Sequence, residues 1–290
     1  NLAAVDFHSG LGVPFDAVAS LANVVADIAA DVGSQATIDP IVVPYFAGDP
    51  YLDDVASADL TWNPGSFDTR IVPSALGMTL LREVQEVAQL AEKMDRDADD
   101  DLAARVLVAS IVGKLDVLES LVTVGPGGMM YVPHAFAAQR EAGSVRMVVT
   151  DRTSVLFDQI SLLLGLTETY SLLGNASATD LVAIQPIDAA ALAARAEALV
   201  EVVLGTLEVA HLRPLERALA DLATPAGTVW TPSDEVSASY LGLAAEAFEQ
   251  VIGAFGSGHR LASRARALLV DEVSFLRGAL WDGSGGTRDL

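Results

Sequence analysis

The chain has 290 residues, 51% of them hydrophobic, and carries 39 acids against 17 bases for a formal net charge of −22. That length supports one large domain or two modest ones with a substantial core. The acidic balance repels nucleic acid and anionic lipid, so neither is expected as a partner; with no cysteine, disulfides, thiolate metal ligands and cysteine nucleophiles are excluded.

No apolar run reaches the ~18 residues that a membrane helix needs. The nearest ones are interrupted by Lys114, Asp116 and Glu119, or by Asp158. The first residue is Asn1 rather than methionine, and the start lacks the form of a signal peptide. The expectation is that a leader, propeptide or tag has been removed, which fits a location outside the cell or in a processed assembly.

In chain order, Asp16–Val32 reads as a first helix. Asp16 caps it, Gly33 stops it, and Val18, Leu21, Val25 and Ile28 recur at helical spacing. From there to Pro73 the prolines at 40, 44, 50, 64 and 73 forbid long helices. The same stretch holds Val42, Val43, Tyr45, Phe46, Trp62 and Phe67, which need burial. Residues 1–73 are therefore expected to form a helix plus an extended, proline-punctuated arm that wraps a surface.

Residues 74–282 are expected to form a helical bundle. Ser74–Met94 carries the stripe Leu76, Leu80, Val84, Val87 and Ala91. The acids Asp99–Asp101 suit the start of the next helix, Leu102–Val124, which Gly125-Pro126-Gly127-Gly128 stops. Short strands are expected at Met129–Val132, Val145–Val149 and Leu181–Ile184. Asp151–Leu173 reads as helix closed by Gly174-Asn175. Asp188 caps a long alanine-rich helix drawn to Leu222, kinked at Pro214. Thr231-Pro232-Ser233-Asp234 has the form of a capped helix start, giving a helix to Phe255. A last helix follows Gly256-Ser257-Gly258 and ends near Trp281. Residues 283–290 read as a disordered tail. The fold class is mainly α: an irregular multi-helix bundle with a long N-terminal arm and a few short strands.

Motifs for chemistry are sparse. The alternating Asp95, Asp97 and Asp99 lack the glycine and distal glutamate of a calcium loop. Gly125–Gly128 follows a helix rather than a strand, unlike a phosphate-binding loop. No G-x-S-x-G or H-E-x-x-H occurs. The strongest constellation is Glu201, Glu208 and His211 on an otherwise apolar helix. A glutamate three residues before a histidine shares its helix face, as in bundle metal sites, and Glu201 lies two turns earlier on nearly the same stripe. These three are the candidate ligands for a transition metal or a haem. The competing reading pairs the acids with Arg195, Arg213 or an arginine of a neighbouring helix.

The function these features favour is a structural or assembly subunit without catalytic activity, as in a shell, filament, surface layer or multi-subunit complex. Its expected partners are other subunits or copies of itself, most simply a homo-oligomer. A metal- or haem-binding bundle is the alternative, and an enzyme of unrecognised type the third.

Overall fold

The computed structural model describes residues 26–33, 70–141, 144–174 and 187–280. Helix predominates over strand, and the fold is mainly α with short β-hairpins between the helices. Residues 26–32 are helical and lie against the second long helix, where Ile28, Ala29 and Val32 pack on Leu102 and Val106. This part of the predicted first helix thus packs on its own chain. The rest of the arm up to residue 69, the strand expected at Leu181–Ile184 and the tail lie outside the described residues.

Helix α1 runs over Pro73–Glu92, with proline at its first position and the predicted stripe buried from Leu76 to Ala91. Helix α2, Ala98–Leu121, starts one turn earlier than the sequence suggests. Asp97 is its N-cap, accepting from the backbone N–H groups of Asp99 and Asp100, and the Asp100 side chain accepts from Asp97 N in return. The acidic run is therefore a capping box followed by carboxylates at the positive end of the helix.

Five strands follow. β1 (Thr123–Val124) and β2 (Met130–Tyr131) form a hairpin around the glycine-rich turn. β3 (Ala135–Glu141) and β4 (Ser144–Asp151) form a longer one, and Ile71 bridges to Phe136, tying the lead into α1 to this ribbon. β5 is Ser154–Val155. Helix α3, Leu156–Gly174, starts five residues later than Asp151, because Asp151 ends β4 and its carboxylate accepts from Thr153 N and Oγ1 in a tight turn. α3 is buried on nearly all sides and packs against α1, α5 (Ala238–Phe255) and α4 (Ala189–Thr206). It is the axis of the core.

α1 crosses α3 at glycine. A methyl group placed on Gly77 would overlap the backbone of Ser161 and Leu162, and one on Gly165 would overlap the Gly77 carbonyl. The two backbones touch, which only residues without a Cβ permit.

Two expectations are corrected after α4. The helix drawn to Leu222 stops at Thr206 and widens into a π-helical turn, Leu207–His211. It then gives way to the hairpin β6 (Leu212–Arg213) and β7 (Ala218–Leu219), so Pro214 lies in the turn between strands rather than at a kink. Thr231-Pro232 is not a helix start either. It ends β9 (Val229–Pro232), which pairs with β8 (Leu222–Ala226), while β8 pairs on its other edge with β5. Proline is tolerated there because β9 is the last strand of its sheet. α5 begins at Ala238, where Asp221 accepts from both the backbone N–H and the hydroxyl of Ser237. α6, Arg260–Phe275, follows with His259 as N-cap, and a second π-helical stretch spans Leu276–Leu280. No helix among the described residues is long and apolar enough to cross a membrane.

Candidate functional site

The structure separates the predicted ligand set. Glu201 projects from α4 toward α6, where both its oxygens accept from the Arg260 guanidinium, with Arg264 3.9 Å away. Glu208 is held by Arg264 through two parallel hydrogen bonds of 2.9 and 2.7 Å. These fork-on-fork pairs zip α4 and the π-helical turn that follows it to α6. The Arg260 bond holds the Glu201 carboxyl below its ordinary value.

His211 does not join them. An α-helix would place it on the face of Glu208, but the π turn carries more residues per turn and rotates it inward. It is fully buried, with Nδ1 2.8 Å from the Ala220 carbonyl and Nε2 2.8 Å from Ser154 Oγ. A carbonyl can only accept, so Nδ1 carries the proton and Nε2 accepts from the serine hydroxyl. Burial pushes the imidazole down to about 4, so His211 is neutral at ordinary pH. Among the described residues, no group of three histidine, aspartate or glutamate side chains stands ready to hold a metal.

A polar cluster gathers instead around the first turn of α3. Asp158 is almost fully buried, and its two oxygens do different work. Oδ1 accepts from Ser74 N at 3.2 Å, at the end of α1 where Val72 offers no side-chain cap. Oδ2 lies 2.7 Å from His134 Nδ1, in the loop between β2 and β3. His134 keeps 26% of its side chain exposed. The same loop is pinned from two other sides. Tyr131 donates to the Arg152 carbonyl at 3.0 Å, and Gln159 Nε2 donates to the Val132 carbonyl at 3.0 Å.

Two histidines thus sit in opposite regimes within one region. Ser154 and His211 have the hydrogen-bond connectivity of a nucleophile and its base, yet both are wholly buried. His134 is open to solvent and oriented by a buried carboxylate, which suits it to take and give a proton. The Asp158 hydrogen bond raises the His134 pKa above 6.5, against the opposing effect of burial. The folded state therefore favours the protonated ring. The stability it contributes is complete below 6.5 and is lost as pH rises through the raised folded value. An NMR titration should place the His134 midpoint above 6.5 and lower it in Asp158→Asn; a wild-type midpoint at or below 6.5 would refute the pairing.

In the sequence, Asp158 registers only as an interruption of an apolar run, and His134 only as a histidine without a glutamate three residues before it. A lone aspartate in the first turn of an otherwise leucine-rich helix is the one signal that could have marked this cluster. No protein-family model matches the chain, and no curated protein shows significant similarity to it.

Proposed function

We propose that the chain is a structural or assembly subunit without catalytic activity, which meets other subunits through the hairpin face formed by β1–β2 and β8–β9. The observation behind this reading is an uncharged apolar surface shared by two packed hairpins. Trp230 of β9 lies edge-on to Tyr131 of β2, their ring centroids 4.8 Å apart, and its ring occupies the space beside Gly125. With those rings turned inward, Val124, Met130 and Val229 turn outward, Val124 and Val229 each about 60% exposed. Val124 and Met130 are direct cross-strand partners.

The turns that join the strands are glycine-rich, at Gly127 and Gly128 in one and Gly227 in the other, all with positive φ. No acid interrupts Gly125–Tyr131 or Leu222–Pro232, in a chain with a net charge of −22. Such a patch is where an acidic protein can approach a neighbour without strong charge repulsion. β9 is also the last strand of its sheet, with no further strand on its outer edge among the described residues.

Sedimentation velocity on the intact chain tests the proposal, at low salt and at salt high enough to screen self-repulsion. The expected result is a mass that is a multiple of 30.2 kDa. The double variant Val124→Glu, Val229→Glu should reduce it to a monomer with an unchanged helical circular dichroism spectrum. A wild-type monomer at both salt levels, or an assembly that the double variant leaves intact, would overturn the reading.

A further inference from the structure

The last two turns of α3 and of α5 line one pocket of about 340 Å³, bounded by Glu168, Tyr170, Ser171 and Gly174 on one side and by Gln250 and Gly253 on the other. Both helices therefore bring their carboxyl-terminal ends to it. Such ends carry carbonyls that lie outside the helix's own hydrogen-bond ladder, together with the negative pole of the helix dipole. Glu168 is the charged side chain among the lining residues. A carboxylate at the negative end of one helix, beside that of a second, stands where the fold disfavours it.

The other glutamates at the α4–α6 contact and between α1 and α2 have cations beside them: Glu201 has Arg260, Glu208 has Arg264 and Glu83 has Lys114. Glu168 forms no such ion pair among the described residues. Burial raises its carboxyl above the ordinary value.

The walls are firm and small. Tyr170 stacks on Phe255 with centroids 4.0 Å apart, and Phe255 on His259 at 5.0 Å. Gly174 and Gly253 leave the opposite sides without side chains. The volume is within the range that holds a small ligand. A hard divalent metal takes about six or more oxygen ligands, and this pocket brings one carboxylate toward that number. One carboxylate, a hydroxyl and helix-end carbonyls are acceptors arranged for N–H donors.

We propose that this pocket binds a small organic cation bearing a primary ammonium or guanidinium group, with the Glu168 carboxylate as its counter-ion. The charged group donates to Glu168 and to the Ser171 hydroxyl, and its apolar stem lies along Tyr170. The site is separate from the hairpin face, and its fate does not depend on the assembly reading.

Calorimetric titration of the full chain with butylamine and with butylguanidine, using butanol as the uncharged control, tests it. The expected result is saturable one-to-one binding of the two cations and none of the alcohol. Glu168→Gln should weaken binding by about tenfold or more. Gly253→Leu should abolish it while leaving every charge in place. The helix is expected to keep its place, because a Cβ on Gly253 meets nothing within 4 Å and leucine is the better helix former. Circular dichroism on each variant reports folding. Binding that is absent, that survives Glu168→Gln unchanged, or that never saturates, as diffuse attraction to the net charge would not, overturns the proposal.

Discussion

Replacing Lys114 with methionine is expected to cost about 3–5 kcal/mol of folding stability, the typical loss when one partner of a buried ion pair is removed. Lys114 and Glu83 face each other between α1 and α2, 3% and 1% exposed, with Nζ 2.7 Å from Oε1. Ser110 joins them, donating to Glu83 at 2.9 Å and lying 2.7 Å from the lysine nitrogen. Methionine matches the length of the lysine stem, so packing changes little. The loss comes from a carboxylate left in the core without its cation. The double variant Glu83→Leu, Lys114→Met should recover most of it, since apolar residues of similar volume often replace a buried pair at little cost. Urea denaturation of the wild type, the single and the double variant measures both effects. A single-variant loss below about 1 kcal/mol would place the pair in the class of weak surface bridges instead.

Glu272→Gln should act in the opposite direction, and only at higher pH. Glu272 of α6 is fully buried; Oε1 accepts from Leu219 N at 2.9 Å, and Oε2 has no hydrogen-bond partner among the described residues. Burial pushes the carboxyl up to about 8 from 4.5. The fold thus favours the protonated acid. Its full stability is present below 4.5 and is lost progressively as pH rises toward and through about 8. At about 1.4 kcal/mol per pH unit, the loss is on the order of 5 kcal/mol, an upper bound once water relaxes around the site. Glutamine keeps the acceptor for Leu219 N and cannot ionise. Wild type and variant should therefore have similar stability near pH 5, with the variant gaining steadily above it. Parallel stability curves across that range would show that Glu272 does not titrate in the fold.

The sequence made the helical core legible wherever periodicity and capping agreed. The stripe of α1 predicts that helix to within a residue or two, although Pro73, read as one of the prolines that break the arm, is in fact its first residue. The capped, acidic opening of α2 was legible too, although Asp97 rather than its neighbours does the capping. Legibility failed where long-range pairing overrides local preference. Leu212–Pro232 holds good helix formers such as Leu215, Glu216 and Arg217, yet its backbone pairs as three-stranded and two-stranded sheets, because β8 finds β5 across some seventy residues of chain. Thr231-Pro232 has the form of a helix cap, with threonine before a proline at the first turn, but the same two residues also suit the end of an edge strand.

Glu201, Glu208 and His211 part company for a related reason. Glu208 and His211 share a face only if the helix keeps its α period, and in the π turn His211 instead meets Ser154, 57 residues earlier in the chain, and the Ala220 carbonyl in the hairpin that follows. The pairing of Glu201 and Glu208 with arginines of a neighbouring helix was foreseeable from the cost of leaving carboxylates on an apolar helix, though which arginines was not. Asp158 was hidden because its partners, Ser74 and His134, sit on opposite sides of it in the chain.

Backbone contact between α1 and α3 also fixes how the two helices can move. At most helix interfaces, side chains can change rotamer to accommodate a shift along the axis. Where Gly77 meets Ser161 and Gly165, nothing is present to rearrange. A slide by one turn would bring Pro73 or Leu81 against the same backbone, and neither fits. The crossing is a peg in a slot, so motion of α1 relative to the core axis is confined to pivoting about that point. The Asp158 bond to Ser74 lies one turn from the pivot and moves little under such a rotation, while the far end of α1 near Glu92 would travel furthest.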